Sequence, residues 1–479
     1  MAERTTRRRF LLQLGGAAVA GLTTPIWLEV IQRGGLPFAW GSGEFDTLPA
    51  GTPVCVHISL DGGNDYLNTL VPTDSWYRDA TYGHGSVALS SSETTALTGT
   101  TYRLHNTLPW LASRWNNSHD VAFVLGVGNN RGDFSHFESM KYWDTSRLDL
   151  SGQTGWLGRY ADATRPQNAV ASVSISNLRL DAMPASAPAL FVQECSSFVF
   201  DTGSTSSDTF AAGVRQMSTI GGTDTRAAVA QMMATALNVS GRVTKADDPN
   251  YTGSSTGYAN YGPLTQDLVQ AALLIRAGLP AQSYSITHRG FDSHVNQKQM
   301  QIDRFTELND ALSHFFSAMS GHARQNDVFV LITSEFGRQM TANHNGGTDH
   351  GQAGMAMFIG GGTQAGVYGQ APTLDPGGPT RPNRIDDALK PTADFRGVHA
   401  TALNRLAAGD TNVADSVLGA HYEDFGVFVS PAAPTSSTTT PGTTTSTSTT
   451  APPPTTTSTT VKPKTTTTTS PSLFGRLMG

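Results

Sequence analysis

The chain has 479 residues, a net charge of −6, 15% charged residues and only two cysteines. With no basic run beyond the first ten residues, nothing points to a nucleic-acid surface. Cys55 and Cys195 build no disulfide framework; each lies in an apolar stretch where a thiol packs as a small hydrophobe, and their pairing stays open.

In chain order, Thr6-Arg7-Arg8-Arg9-Phe10-Leu11 is a twin-arginine export signal, followed by a Gly/Ala-rich apolar stretch from Leu12 to Leu22. That stretch falls short of the roughly 20 apolar residues of a membrane span. Residues 1–46 therefore read as signal and linker, and the chain as exported, extracellular or wall-associated, without a stable membrane span.

Val54 to Leu60 is a β-branched run ending in a Gly-rich polar turn, the pattern of a central parallel strand. Leu108 to Trp115 predicts a helix with Asn106 or Thr107 as N-cap and Pro109 near its start. Val121 to Val127 is a second buried strand, leading through the Ser135-His136 turn to a helix from Glu138 to Trp143. Short strands follow at Val173 to Ile175 and Ala189 to Val192. Residues 196–261 are rich in Ser, Thr and Gly around a helix from Thr225 to Leu237, and read as a cap insertion.

Beyond it, Thr265 to Ala277 is helical and Ser283 to Thr287 a strand. Gln297 to Met319 is a one-faced helix and Val328 to Thr333 the clearest strand of the chain. A strand at Met355 to Ile359 and a helix at Arg396 to Leu406 complete the pattern. Strands alternating with helices predict one α/β domain over residues 47–429, its sheet mostly parallel and covered on both faces. From about Ser430 the chain is almost all Thr, Ser and Pro and cannot bury enough apolar surface to offset its entropy. Residues 430–479 read as a disordered stalk that would hold the domain away from a cell wall.

Polar clusters follow the apolar runs: Leu60-Asp61-Gly62-Gly63-Asn64-Asp65, Phe134-Ser135-His136-Phe137, Phe291-Asp292-Ser293-His294, Ser334-Glu335-Phe336-Gly337-Arg338 and Thr348-Asp349-His350-Gly351. In an open α/β sheet, ligands bind outside the carboxyl ends of the strands. Asp61 is costly to bury there unless a metal or donor neutralises it, although an Asx-turn with Asn64 would also use it. Ser135, with His136, precedes a helix, where a hydroxyl can attack a phosphoryl or sulfuryl centre or simply cap the helix. Asp292, His294, Glu335, Asp349 and His350, without thiolate, suit zinc, manganese, calcium or magnesium. Arg338 would neutralise an oxyanion or pair with Glu335. His57, His105, His288 and His344 read as structural histidines.

These clusters, the signal and Thr154-Gly155-Trp156-Leu157-Gly158-Arg159 resemble one family of twin-arginine-exported bacterial proteins, which carry a domain of unknown function distantly related to sulfatases. The resemblance covers nearly all of residues 1–429. It implies the alkaline-phosphatase-superfamily fold, a three-layer α/β sandwich with one or two metals at the strand ends. By that resemblance Asp61 matches the first-strand metal aspartate, with Asn64 beside it counted among the metal residues. Ser135 stands at the Ser/Thr nucleophile, and the absence of Cys there argues against a formylglycine mechanism. Asp292 and His294 resemble the aspartate–histidine pair of one metal. Glu335 stands where the Asp of a Ser-Asp-His-Gly motif would, with Phe336 replacing the His and Asp349-His350 supplying an imidazole.

The expected function is an exported metal-dependent hydrolase or transferase acting on phosphate, less readily sulfate, esters of a small molecule or polymer. The alternative is a catalytically degenerate relative that binds wall polymer or a partner protein.

Overall fold

The computed structural model describes residues 47–429 except 81–82, 130, 132–133, 166–169, 188, 194–260, 373–383 and 386–387. The export signal, Cys195, the insertion up to residue 260 with its expected helix, and the stalk lie outside the described residues.

The strands are β1 (Val54–Asp61), β2 (Leu70–Val71), β3 (Thr94–Ala96), β4 (Arg103–His105), β5 (Val121–Gly128), β6 (Ser172–Ile175) and β7 (Ala189–Val192). Then come β8 (Ser283–Arg289), β9 (Val328–Thr333), β10 (Gly354–Gly360), β11 (Gly366–Gly369), β12 (Arg384–Ile385), β13 (Ala388–Leu389) and β14 (Ala393–Asp394). Nine strands form one sheet in the order β11-β5-β10-β9-β1-β8-β6-β7, with β14 also beside β5. β10 is antiparallel to both of its neighbours, and the other pairings are parallel. The carboxyl ends of β1, β5, β8 and β9 therefore share one edge with the amino end of β10. This single reversal carries residues 349–353, which lead into β10, to the edge where ligands bind in such sheets.

Alternation along the strands divides the core into two layers. Val54, Val56, Ile58 and Leu60 of β1 join the apolar cluster that holds Leu268 of the Pro263–Arg276 helix and Phe305, Leu312 and Phe315 of the Gln297–Met319 helix. Cys55, Phe329, Leu331 and Phe358 face the opposite cluster, with Trp143 of the His136–Thr145 helix, Trp156 of the Trp156–Thr164 helix and Leu403 of the Arg396–Leu406 helix. The sheet is thus covered on both faces, as the alternating pattern predicts. Cys55 is a buried free thiol.

Three features depart from the sequence reading. The helix near Pro109 is short, Pro109–Ser113, capped by buried Leu108 and continued as a π-helical turn over Arg114–Ser118. Asn106 and Thr107 do not cap it, because their side chains bond instead to Ser92 O and His105 Nδ1. Residues 66–105 hold a separate three-stranded antiparallel sheet, β2-β4-β3, whose strands are too short to carry a period. Helices at Trp156–Thr164 and Thr411–Leu418 also went unpredicted. Among the described residues, no helix is long and apolar enough to cross a membrane.

Candidate metal centre

The turn after β1 sets the geometry of the edge. Gly62 and Gly63 have φ of +125° and +86°, which side chains rarely adopt. A Cβ on Gly62 would stand 2.3 Å from the Asp292 nitrogen, and one on Gly63 2.4 Å from the Phe336 ring. The glycines thus let three loops close on one another. Arg338 ties the loops together: Nε donates to Gly63 O at 2.8 Å, Nη1 to Thr348 O at 2.9 Å, and Nη2 to Asp292 Oδ1 at 2.7 Å and to Phe291 O at 3.0 Å. Nη2 also contacts Gly62 O. With its side chain wholly buried and its donors committed, Arg338 is not placed as a free oxyanion clamp.

Around Asp292 the structure gathers three imidazoles from three loops. His294 Nε2 and His350 Nε2 lie 3.1 and 3.0 Å from Asp292 Oδ1, and 3.0 Å from each other. His136 Nε2 approaches Asp292 Oδ2 at 3.6 Å. Each ring is held from behind through Nδ1: His136 by Glu335 Oε1 at 2.9 Å, His294 by Asp349 Oδ1 at 2.8 Å, and His350 by the Phe134 carbonyl at 2.8 Å. Glu335 is positioned in turn by the Gly62 N–H at 2.7 Å and by Ser334 Oγ at 3.2 Å. Phe336 packs against His136 and His350, with ring centroids 5.1 and 4.6 Å away. At the position expected to hold a ligand imidazole, a ring without nitrogen supports the two that are present.

These partners assign the tautomers. A backbone carbonyl can only accept and an ionised carboxylate only accepts, so in the neutral rings Nδ1 carries the proton and Nε2 a lone pair. The lone pairs of His136, His294 and His350 then converge on the oxygens of Asp292, themselves acceptors. Although burial opposes it, the Arg338 guanidinium holds Asp292 at a pKa of about 2, fully ionised at neutral pH. Burial lowers His350, which disfavours a proton as the link. The Glu335 hydrogen bond raises His136. Facing lone pairs at 3.0 Å are repulsive unless a cation or a shared proton lies among them. A ring held by a carboxylate or carbonyl while its other nitrogen faces the site is the usual second layer of a metal centre. Among the described residues, His136, Asp292 and His350 form a group whose ligand atoms all lie within 4.8 Å of one another. The residues present fit a divalent cation.

The remaining expected residues make other contacts. Asn64 turns away and exchanges hydrogen bonds with Thr69, and Asp65 caps the Tyr66–Thr69 helix and binds His84 and Gln297. Ser135 is at the N-cap of the His136–Thr145 helix, but its side chain makes no capping bond there. Asp61 accepts from Ser59 Oγ at 2.6 Å and faces Arg179 Nη1 at 3.5 Å. Arg179 also bonds Asp144 through Nη2 at 2.6 Å and Thr287 through Nη1 at 3.1 Å, and lies 3.5 Å from Asp181. Asp181 accepts from His57 Nδ1 at 2.6 Å, so His57 is the satisfied histidine expected. His105 and His288 are likewise satisfied, by Thr107 and by the Arg304 carbonyl.

Sequence reasoning missed Arg179, Asp181 and Asp144. A signal existed: Arg179-Leu180-Asp181 lies just past β6, as the other clusters follow their strands. The Thr154–Arg159 motif clamps this loop, through Gly155 N to Met183 O at 2.8 Å and Leu157 N to Asp181 O at 3.0 Å.

No curated protein matches the sequence. Among solved structures, similar chains include a mutant of TAB5 alkaline phosphatase with magnesium bound, at 9% identity and TM-score 0.29, covering 66% of this chain and 94% of that one. Another belongs to a Bacteroides thetaiotaomicron locus for the metabolism of multiple glycosaminoglycans, at 9% identity and TM-score 0.31, covering 80% and 79%. A third is a 2-O glycosaminoglycan sulfatase, at 9% identity and TM-score 0.25, covering 78% and 75%. A family model does match over residues 126–423, a span that includes His136, Asp292, His294, Glu335 and His350, and the chain belongs to that family, described as a protein of unknown function (DUF1501).

Proposed function

We propose that this protein is an exported metal-dependent hydrolase or transferase of phosphate esters, with sulfate esters second. One observation carries the reading: three imidazoles, each with Nδ1 already committed, aim Nε2 at one ionised carboxylate, Asp292. His136, His294, His350 and Asp292 would hold zinc, manganese, calcium or magnesium. Glu335 and Asp349, expected as ligands, are better placed to orient His136 and His294. When bound, such an ion acts as a Lewis acid toward an ester oxygen.

The chain's own groups would do the rest. Ser135 lies in the chain between Phe134, whose carbonyl holds His350, and His136, which Glu335 holds, and this adjacency supports its hydroxyl as the nucleophile. Its oxygen would attack phosphorus or sulfur while the ester oxygen leaves. The start of the His136–Thr145 helix offers backbone N–H groups to the transferred group. Arg338 would act at one remove, by fixing Asp292.

A second reading is kept because Phe336 stands where an imidazole was expected and Arg338 is fully committed: a relative that has kept the site as a metal-held binding surface for wall polymer or a partner. A turnover screen separates the two. Metal-loaded protein should hydrolyse aryl phosphate mono- or diesters slowly, and Ser135→Ala should lower kcat by about a hundredfold or more. Activity that survives Ser135→Ala would leave a metallohydrolase with water as nucleophile. A metal-loaded wild type inactive on phosphate, sulfate and carboxylate esters would favour the binding protein. Export belongs to the same proposal, and replacing Arg8 and Arg9 by Lys should retain the chain inside the cell.

A further inference from the structure

We propose that the guanidinium of Arg179 is the resident cation of Asp61, so that this sheet edge has one divalent-metal position, at Asp292, rather than two. The inference rests on the metal reading above only for the count of ions.

Asp61 is the carboxylate that its place at the end of β1 marks most clearly for a metal, yet its surroundings are those of an ion-paired group. Oδ1 accepts from Ser59 at 2.6 Å and faces Arg179 Nη1 at 3.5 Å. The guanidinium is 7% exposed and stands among three carboxylates, with Asp144 Oδ1 at 2.6 Å and Asp181 Oδ1 at 3.5 Å completing the set. Those carboxylates would repel one another in a poorly solvated pocket without a positive charge between them. A guanidinium supplies that charge permanently, because it does not deprotonate in proteins.

Arg179 is also held from outside the cluster. Thr287 Oγ1 accepts from Nη1 at 3.1 Å. Asp181 is pinned by His57 Nδ1 at 2.6 Å and by Ser285 Oγ at 2.6 Å. The backbone of the 180–183 loop bonds the start of the Trp156–Thr164 helix. A dication at Asp61 would therefore meet a fixed positive charge that has no route to withdraw. Asp292 also accepts from a guanidinium, Arg338 Nη2 at 2.7 Å, but it differs in its other neighbours: three imidazoles that can be neutral and present lone pairs.

Three measurements test the proposal on the mature chain, stripped of metal and titrated with Mn²⁺ while free ion is followed by electron paramagnetic resonance. One ion should bind per chain. Asp61→Asn should leave its affinity within about twofold, whereas loss of a group that orients a ligand costs about 10–100-fold. Arg179→Met should gain a second ion dependent on Asp61, a readout that a merely structural arginine would not move. Two ions bound by the wild type, or a tenfold loss in Asp61→Asn, would overturn the proposal. A wild type that binds no ion would sink the metal reading instead. The Asp61–Arg179 pair would then be judged by the double-mutant cycle of Asp61→Asn and Arg179→Met in thermal unfolding, where additive losses overturn it and a strong coupling upholds it. If Arg179→Met does not fold, the wild-type count and Asp61→Asn decide alone.

Discussion

Asp61 ends β1 and Asp292 lies just past the neighbouring parallel strand β8 of the same sheet, and each carboxylate is followed by a small residue, Gly62 or Ser293. Their surroundings differ. Asp292 has 49% of its side chain exposed and faces three imidazoles besides the Arg338 guanidinium, while Asp61 has 14% exposed and faces the Arg179 guanidinium that it shares with Asp144 and Asp181. Burial raises the Asp61 pKa, against the pull of Arg179, whereas Arg338 keeps Asp292 near 2 against its own burial. The contrast teaches that a carboxylate at a strand end marks a place and not a role. Both carboxylates face a buried guanidinium, and what sets Asp292 apart is the set of imidazole lone pairs that a divalent cation can join.

The largest effect is expected at Asp292. Asp292→Ala should lower divalent-metal affinity by about a hundredfold or more, read by titration of the stripped protein, because it removes the anion on which the three rings converge. An affinity that stays unchanged would break the comparison. Glu335→Gln should cost about 10–100-fold, as expected for a group that orients a ligand. If Glu335 costs as much as Asp292, it is a ligand after all.

The pH dependence sharpens the same point. Glu335 raises the His136 pKa above its ordinary value, so protons compete at Nε2 from above pH 6.5 downward. Metal affinity should fall as pH falls through that range, and Glu335→Gln should shift the fall to lower pH. Binding isotherms at several pH values check this.

Gly62→Ala tests whether the turn holds the centre together. Its Cβ would stand 2.3 Å from the Asp292 nitrogen at a φ of +125°. The strain should cost roughly 1–3 kcal/mol of stability and displace Asp292, weakening metal binding as well. Stability lost with affinity intact would separate the turn from the site.

A last test, which leaves the metal centre untouched, belongs to the buried cluster. Burial, with Arg179 opposing and its fellow carboxylates assisting, pushes Asp144 up to about 7. The folded chain then holds a proton that the unfolded chain releases near the ordinary carboxylate pKa of about 3.9. Stability should therefore decline as pH rises from about 4 to 7, and Asp144→Asn should flatten that slope in thermal unfolding. Asp181 moves the other way, held low by Arg179 and His57 against its burial, so it titrates below this window.

Much of the fold was legible because its signals are local. The Gln297–Met319 and Arg396–Leu406 helices and β9 have the bounds that their patterns predict, and β1 and β5 run one residue further. One-faced helices and continuous β-branched runs write their burial into neighbouring residues. The three short strands of the β2-β4-β3 sheet have too few residues to do so.

The sequence by itself determined an alternating α/β chain with carboxylates and imidazoles delivered past its strands, since strand and turn propensities act over a few residues. Tertiary structure alone decided that β10 runs backwards and brings His350 beside Asp292. It also decided that Glu335 and Asp349 stand behind imidazoles, that Arg338 ties the loops, and that Arg179 reaches Asp61 across 118 residues of chain. The role of a charged side chain depends on which partner lies within about 4 Å, where Coulomb and hydrogen-bond energies are large. That partner comes from another loop, placed by the packing of the whole sheet.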